Sequence, residues 1–140
     1  MAKIILGKRP QNFKRTVNFV QVDGTPGSIE VTFKYRTRKE FGAFADGIVD
    51  SMKAEAEAQL EAVRALAAAG KQIPELTQGV IIDRDLARDA KYVAGCVEAW
   101  NLDVPLSVDA IAQLADEVPA AVGAIALAYR EASIEGRLGN

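Results

Sequence analysis

The stretch that decides the fold is IEVTFKYRTRKEF, residues 29–41. Its first eight residues alternate between apolar and polar side chains, and this period of two predicts a half-buried β-strand. The strand runs directly into TRKE, residues 37–40, a capping box in which Thr37 and Glu40 cap the first turn of a helix. A strand joined at once to a helix predicts an α+β fold. The apolar face of the strand consists of Ile29, Val31, Phe33 and Tyr35.

A second strand is predicted just before this stretch. Residues 15–22 are rich in β-branched and aromatic side chains, and DGTPGS, residues 23–28, is a dense turn signal. The two strands therefore form an antiparallel hairpin with a loop longer than two residues. Because a lone hairpin is marginally stable in water, its apolar face must pack on the helices that follow.

The helix that follows the capping box is predicted to span residues 37–69 and to end at Gly70. Residues 53–69 are almost all strong helix formers, whereas Gly47 weakens the middle, so either one long helix or two helices meeting near residues 47–51 fit. Apolar residues at three- and four-residue spacing predict one apolar stripe, of which Phe41, Phe44 and Ile48 are expected to be mostly buried. The stripe consists of Phe41, Phe44, Ile48, Met52, Ala56, Leu60, Val63 and Ala67.

The rest of the chain reads as a loop over residues 70–82 and a helical part over residues 83–140. One helix is predicted from near Asp83 to Trp100, a second is capped by Ser107, and a third begins at Pro119 and ends at Gly136. The predicted inner positions are Leu86, Ala90, Val93, Val97 and Trp100, then Val108, Ile111, Leu114 and Val118, then Val122, Ile125, Tyr129 and Ala132.

Together these elements predict a single domain over residues 1–140. Its fold class is α+β, with an N-terminal antiparallel β-hairpin (residues 1–36) packed on a mainly α-helical body of four to five helices. A chain of 140 residues is long enough to bury a core without disulfides or metals.

The amino-acid composition argues against catalysis. The chain has one cysteine, Cys96, and no histidine, so neither a Cys-His pair nor an ordinary zinc site can form. Cys96 lies in an apolar stretch and is predicted to be a buried small hydrophobe. Three carboxylates, Asp83, Asp85 and Asp89, alternate with arginines and fit a solvated helix start better than a metal site. We therefore expect no enzyme activity, no cofactor and no metal.

Charge is distributed unevenly along the chain. Residues 1–40 carry nine Lys/Arg and three Asp/Glu, a net charge of +6, while the remaining residues carry eight and sixteen, a net charge of −8. This asymmetry suggests either a polyanionic partner or head-to-tail self-association. The first residues are too polar for a signal peptide and no apolar run approaches bilayer length, so we expect no membrane contact and a location in the cytoplasm of the cell that makes the protein.

A cluster of basic residues marks the end of the second strand, and three interpretations remain open for it. A solvated strand edge is favoured, contact with a partner protein comes second, and nucleic-acid binding comes last because the body is acidic. Trp100, the single tryptophan, is either a core residue or an anchor for a partner. The basic residues are Lys34, Arg36, Arg38 and Lys39, with Lys8, Arg9, Lys14 and Arg15 upstream.

The order of several segments resembles the tail assembly chaperones of long-tailed, siphovirus-type bacteriophages and prophages. These segments are FKYRTRKEF at residues 33–41, the Ala-rich helix, WNLD at 100–103, PLS at 105–107, Leu114, Pro119, AIA at 124–126, Ala128 and Tyr129, and GRLGN at 136–140. The resemblance spans nearly the whole chain. It departs from the commoner pattern in residues 53–69, which fit an insertion.

The resemblance implies a fold with an N-terminal β-hairpin and a helical C-terminal part, and it implies a function. Such chaperones bind the tape measure protein, keep its long hydrophobic helices soluble, help recruit tail tube subunits around it, and leave before the tail is finished. Many are also made in a longer, frameshifted form. We accordingly expect the tape measure protein and the tail tube protein as partners, weak homo-oligomers, a place in the host cytoplasm and absence from the mature virion.

The predicted contact site for the tape measure lies at the ends of the helical stripes. It consists of Trp100, Leu102, Val104 and Leu138. Two other functions compete with the chaperone: a small structural tail component retained in the virion and, less favoured, a nucleic-acid-binding regulator. The first predicts presence in purified particles, and the second predicts salt-dependent binding to DNA or RNA.

Overall fold

A computed structural model of the chain describes residues 3–136. It confirms the α+β class, since an antiparallel hairpin precedes four helices. A π-helical turn, Glu131–Glu135, extends the last helix as far as Gly136, whose φ of 67° suits a glycine at a helix end. The elements are β1 Asn12–Val20, β2 Pro26–Lys34, α1 Arg38–Ala68, α2 Gln78–Cys96, β3 Val97–Trp100, α3 Val108–Glu117 and α4 Pro119–Arg130.

The hairpin pairs β1 with β2 in the register that the apolar pattern demands. Val17 lies opposite Ile29 and Phe13 opposite Phe33, so the apolar side chains of both strands share one face. The connecting loop contains Gly24 at φ 87°, a conformation that favours glycine. Within it the Asp23 carboxylate accepts hydrogen bonds from the amide and hydroxyl of Thr25.

A third strand extends the sheet, which the sequence did not predict. In β3, Val97 lies opposite Phe33 and Trp100 lies opposite Val31 on β2. The predicted helix from Asp83 to Trp100 is therefore wrong at both ends, because α2 begins at Gln78 and ends at Cys96. Val97 continues the helical spacing of α2, so the apolar pattern alone does not reveal the change to a strand.

The core lies between the apolar face of the sheet and the helices α2, α3 and α4. Tyr129 of α4 is fully buried at its centre, with its ring centroid 5.2 Å from that of Phe33 and 5.8 Å from that of Phe41. The predicted inner positions Val93, Ile111, Val122 and Ile125 are buried as well, whereas Val108 is exposed. Sheet, α1 and α4 thus meet at one aromatic cluster.

Helix α1 is one continuous helix of 31 residues, so the alternative of two helices meeting near Gly47 is excluded. The predicted capping box is present at its start: Thr37 accepts from the Glu40 amide, and Glu40 accepts from the Thr37 amide. Phe41 is buried, and Phe44 and Ile48 are half-buried. Beyond Ile48 the apolar stripe is open to solvent, because Met52, Ala56, Leu60, Val63 and Ala67 are all exposed.

Among residues 3–136, no single helix is long and apolar enough to cross a membrane. Helix α3 and helix α4 with its π-helical turn reach the length and hydrophobicity of a membrane span only when the two are joined. The two helices are bent by 117° relative to each other.

Candidate functional site

The end of β2 is tied to the helices by one arginine. The Arg36 guanidinium donates to the Gly95 carbonyl at 2.6 Å and to the Tyr129 hydroxyl at 3.0 Å, and it lies 4.1 Å from the centre of the Phe44 ring. The Tyr129 hydroxyl in turn donates to the Lys34 carbonyl at 2.9 Å. The favoured interpretation of a solvated basic edge is therefore wrong for Arg36, whose charge joins β2, α1, α2 and α4.

The other basic residues of the cluster make separate contacts. Arg9 pairs with Glu40 at 3.1 Å at the start of α1. Arg15 lies 5.0 Å from the centre of the Phe13 ring. Lys34 extends its ammonium to the Ala94 carbonyl at 3.4 Å. Lys8, Lys14, Arg38 and Lys39 are exposed.

Cys96 is a buried core residue, as the sequence predicted. Burial raises the pKa of its thiol to about 12, which keeps it protonated at neutral pH. Burial likewise raises the pKa of Tyr92 to about 12. Within residues 3–136 no group of three or more His, Cys, Asp or Glu side chains is arranged to hold a metal ion.

Trp100 is half-buried and is hydrogen-bonded to the segment that follows β3. Its indole Nε1 donates to the Val104 carbonyl at 2.8 Å, which folds residues 101–104 into a tight turn, and its half-buried ring packs on the core. Of the predicted contact residues, Leu102 is half-buried and Val104 is 42% exposed. Leu138 lies outside the described residues. The structure therefore brings Trp100, Leu102 and Val104 together, but only the latter two face a groove.

That groove lies between the turn after β3 and helix α3, and its volume is about 140 Å³. Its apolar walls come from both segments, and its only charged lining residues are Asp103 and Glu117. We call it the acidic groove. Its apolar lining residues are Leu102, Val104, Ala110, Leu114 and Val118.

A larger depression lies between α1 and α2, which run antiparallel. Between the first part of α1 and the last part of α2, the Phe44 and Tyr92 ring centroids are 5.3 Å apart. In the same region Lys91 donates to the Ser51 hydroxyl at 3.0 Å. Farther along, the helices frame two neighbouring cavities of about 210 and 310 Å³ that share Arg88 as a lining residue. We call this depression the helical groove. Its apolar lining residues are Ile48, Met52, Ala56, Leu76, Ile81, Tyr92, Val93, Val122 and Ala126.

The apolar lining of the helical groove is partly open to solvent. Met52 is 39% exposed and Leu76 is 61% exposed, and Leu60, Val63, Ile73 and Ile82 on the same two helices and their connection are exposed as well. The charges along the groove are of both signs, since Glu55, Asp85 and Asp89 line it together with Arg84 and Arg88. Burial raises the pKa of Asp89 at the groove, and the negative charge of Asp85 adds to this.

Sequence analysis missed the helical groove as a site, although it named most of the α1 residues that line it. The spacing places Met52 and Ala56 on one helix face but does not show whether that face is covered or open. The signal that could have separated the two cases is the composition of residues 53–69, in which alanine and charged residues leave little side-chain volume for a core.

A family model described as phage tail assembly chaperone matches residues 1–140. Neither the curated proteins nor the solved structures provided a match.

Proposed function

We propose, from the premise that this chain belongs to the phage tail assembly chaperone family, that it binds the tape measure protein, keeps it soluble and promotes assembly of the tail tube around it. In this proposal the protein acts without catalysis in the host cytoplasm. Its partners are the tape measure protein, the tail tube protein and further copies of itself, and it leaves before the virion is mature.

The observation that carries the proposal is the open helical groove. A tape measure exposes long apolar helices until the tube encloses them, and an amphipathic helix is covered best by a groove with apolar walls and polar rims. The groove has both, with Met52, Leu76 and Ile81 on its walls and Glu55 and Arg84 among its polar lining. We therefore place the tape measure helix here. The predicted contact at Trp100, Leu102, Val104 and Leu138 stays a prediction.

The size of the groove suits a short stretch of helix. From Ile48 to Gln59 the α1 wall is about 17 Å long, at 1.5 Å of rise per residue, which is about three turns of a bound helix. Contact over three turns can bury apolar side chains at i, i+3, i+4 and i+7. A long tape measure would then need many copies of the chaperone, each covering one short apolar stretch.

Direct binding to peptides from the tape measure tests this placement. We expect amphipathic helical segments to bind with a negative heat-capacity change, the mark of apolar burial, in isothermal titration calorimetry at several temperatures. Scrambled peptides of the same composition are the control, because they keep the charge and lose the apolar stripe. Equal binding of scrambled and native peptides would rule out the groove mechanism.

Mass spectrometry of purified particles separates the chaperone from a structural tail component. The chaperone function predicts that the protein is abundant in infected-cell extracts and absent from particles. Stoichiometric protein in the particles would replace the proposal with the virion-component function.

A further inference from the structure

The N-terminal segment, residues 3–9, forms an apolar protrusion surrounded by positive charge. The Lys8 amide donates to the Ile5 carbonyl at 3.2 Å, and Gly7 at φ 87° completes the turn. Leu6 at the tip of this turn is 93% exposed, and Ile4 and Ile5 are exposed beside it. The ion pair of Arg9 with Glu40 fixes the base of the segment to α1. We call this segment the basic arm.

The acidic groove has the complementary properties. It is walled by apolar side chains and its charged lining residues, Asp103 and Glu117, are both negative. The contrast extends along the chain: residues 1–22 contain five Lys/Arg and no Asp/Glu, whereas residues 92–129 contain five Asp/Glu and no Lys/Arg. The helical groove lacks this bias, because its lining carries both signs.

The arm and the acidic groove adjoin different positions along β2. The arm precedes Asn12, which pairs with Lys34 at the end of β2. The turn of the groove follows Trp100, and the next residue, Asn101, donates its amide to the Glu30 carbonyl nearer the start of β2. The pair of Arg9 with Glu40 holds the base of the arm at the start of α1, and the arm contributes none of the lining residues of the groove in its own copy.

We propose that the basic arm of one copy docks in the acidic groove of the next, with Leu6 entering the space beside Leu102 and Val104. This inference deepens the self-association included in the proposed function and rests on it. The contact joins two different surfaces, so it is heterologous and leaves a free arm at one end and a free groove at the other. Such copies form open rows along a rod-shaped partner instead of closed dimers.

Sedimentation velocity over a range of concentrations tests the contact with the full chain. We expect the wild type to associate progressively and Leu6→Ser to weaken association about tenfold, as expected for the loss of one buried apolar anchor. Val22→Ser is the matched control, because Val22 is 99% exposed in the hairpin loop and its loss should change nothing. A monomeric wild type, or equal association of Leu6→Ser and wild type, would overturn the proposal.

Charge reversal provides a second, independent test. Lys3→Glu with Lys8→Glu on the arm, or Asp103→Lys with Glu117→Lys on the groove, should each abolish association. The chain that carries all four changes should regain it. Mixing the two double variants should restore association beyond dimers, because the arm of each variant is then opposite in charge to the groove of the other. No association in this mixture, or no recovery in the fourfold variant, would refute head-to-tail docking.

These outcomes are separable from those of the proposed function. If tape measure peptides fail to bind while Leu6→Ser still weakens self-association, the chaperone function fails and the docking contact stands. If the peptides bind and Leu6→Ser associates like the wild type, the docking contact fails alone.

Discussion

At the residue scale, Thr37 and Glu40 set the start of α1 through reciprocal hydrogen bonds. Thr37→Ala should lower the free energy of unfolding by about 1 kcal/mol, because an amide at the helix start loses its acceptor. Glu40→Ala should also lower the thermal midpoint, through loss of the second bond and of the ion pair with Arg9. Thermal melts that do not move for either variant would show that the capping box contributes nothing.

The pH dependence of stability provides a further test of Glu40. Its hydrogen bond from the Thr37 amide lowers the pKa of the Glu40 carboxyl below its ordinary value of 4.5, with help from the Arg9 charge. Because the pKa is lowered in the folded state, the stabilisation is fully present above pH 4.5 and is lost as the pH falls through the folded pKa. Chemical denaturation at several pH values should therefore show a smaller acid loss of stability in Glu40→Gln than in wild type. If Glu40→Gln loses as much unfolding free energy at low pH as the wild type does, the role given to Glu40 is contradicted.

Tyr129 carries the polar contact at the centre of the core. Tyr129→Phe removes the hydroxyl that donates to the Lys34 carbonyl and accepts from Arg36, and it should lower the free energy of unfolding by about 1 kcal/mol. Tyr35→Phe is the control, because Tyr35 is only half-buried and lies outside this network. Equal effects of the two changes in urea denaturation would argue against a structural role for the hydroxyl.

Cys96 should be unreactive in the native protein. Its thiol is buried, and the raised pKa of about 12 keeps the nucleophilic thiolate scarce. Titration with a thiol-specific chromogenic reagent should show labelling only as fast as the protein unfolds, and full labelling in denaturant. Immediate stoichiometric labelling of the folded protein would contradict the buried position.

At the element scale, the contact between α1 and α2 depends on Gly95. A Cβ atom at Gly95 would lie 2.5 Å from the Phe44 ring, so Gly95→Ala must displace an aromatic side chain that stacks with Arg36 and Tyr92. We expect a loss of about 1–3 kcal/mol in unfolding free energy. Gly123→Ala in α4 is the matched control, because its Cβ meets nothing within 4 Å and it should stabilise the helix by about 0.5–1 kcal/mol. If the calorimetric midpoints of Gly95→Ala and Gly123→Ala shift in the same direction, the close packing of Gly95 against Phe44 is contradicted.

The sequence predicted those elements whose causes are local. Strand β2, the capping box and the cap at Ser107 each rest on neighbouring residues, and all three are confirmed. Strand β3 depends instead on pairing with β2, some 65 residues earlier in the chain, and four residues carry too little pattern to reveal it.

The same distinction applies to the candidate site. Periodicity showed which face of α1 is apolar, but burial also needs a covering element, and the described chain does not supply one beyond Ile48. The predicted contact at Trp100, Leu102 and Val104 rests on apolar character alone, because neither the Trp100 hydrogen bond nor the wall formed by α3 is visible in the sequence. Sequence therefore located apolar surface, and only the structure separated core from groove.

At the scale of the whole molecule, the described chain carries two grooves of different character. The helical groove has mixed charges and fits an amphipathic helix, while the acidic groove has negative charges and fits the basic arm. Their separation would let one copy hold a tape measure helix and a neighbouring copy at the same time. In the proposed function, many weak contacts of this kind would together cover a long rod through effective concentration.

The most direct test of this account is the solubility of the tape measure on co-expression. Ala56→Arg places a long charged side chain on the wall of the helical groove, and Ala54→Arg places the same side chain about 160° around α1, where it is exposed and clear of the groove. We predict a soluble tape measure, recovered in complex, with the wild type and with Ala54→Arg, and an aggregated one with Ala56→Arg. A tape measure that is equally soluble with and without the protein, with no complex recovered, would contradict the chaperone function.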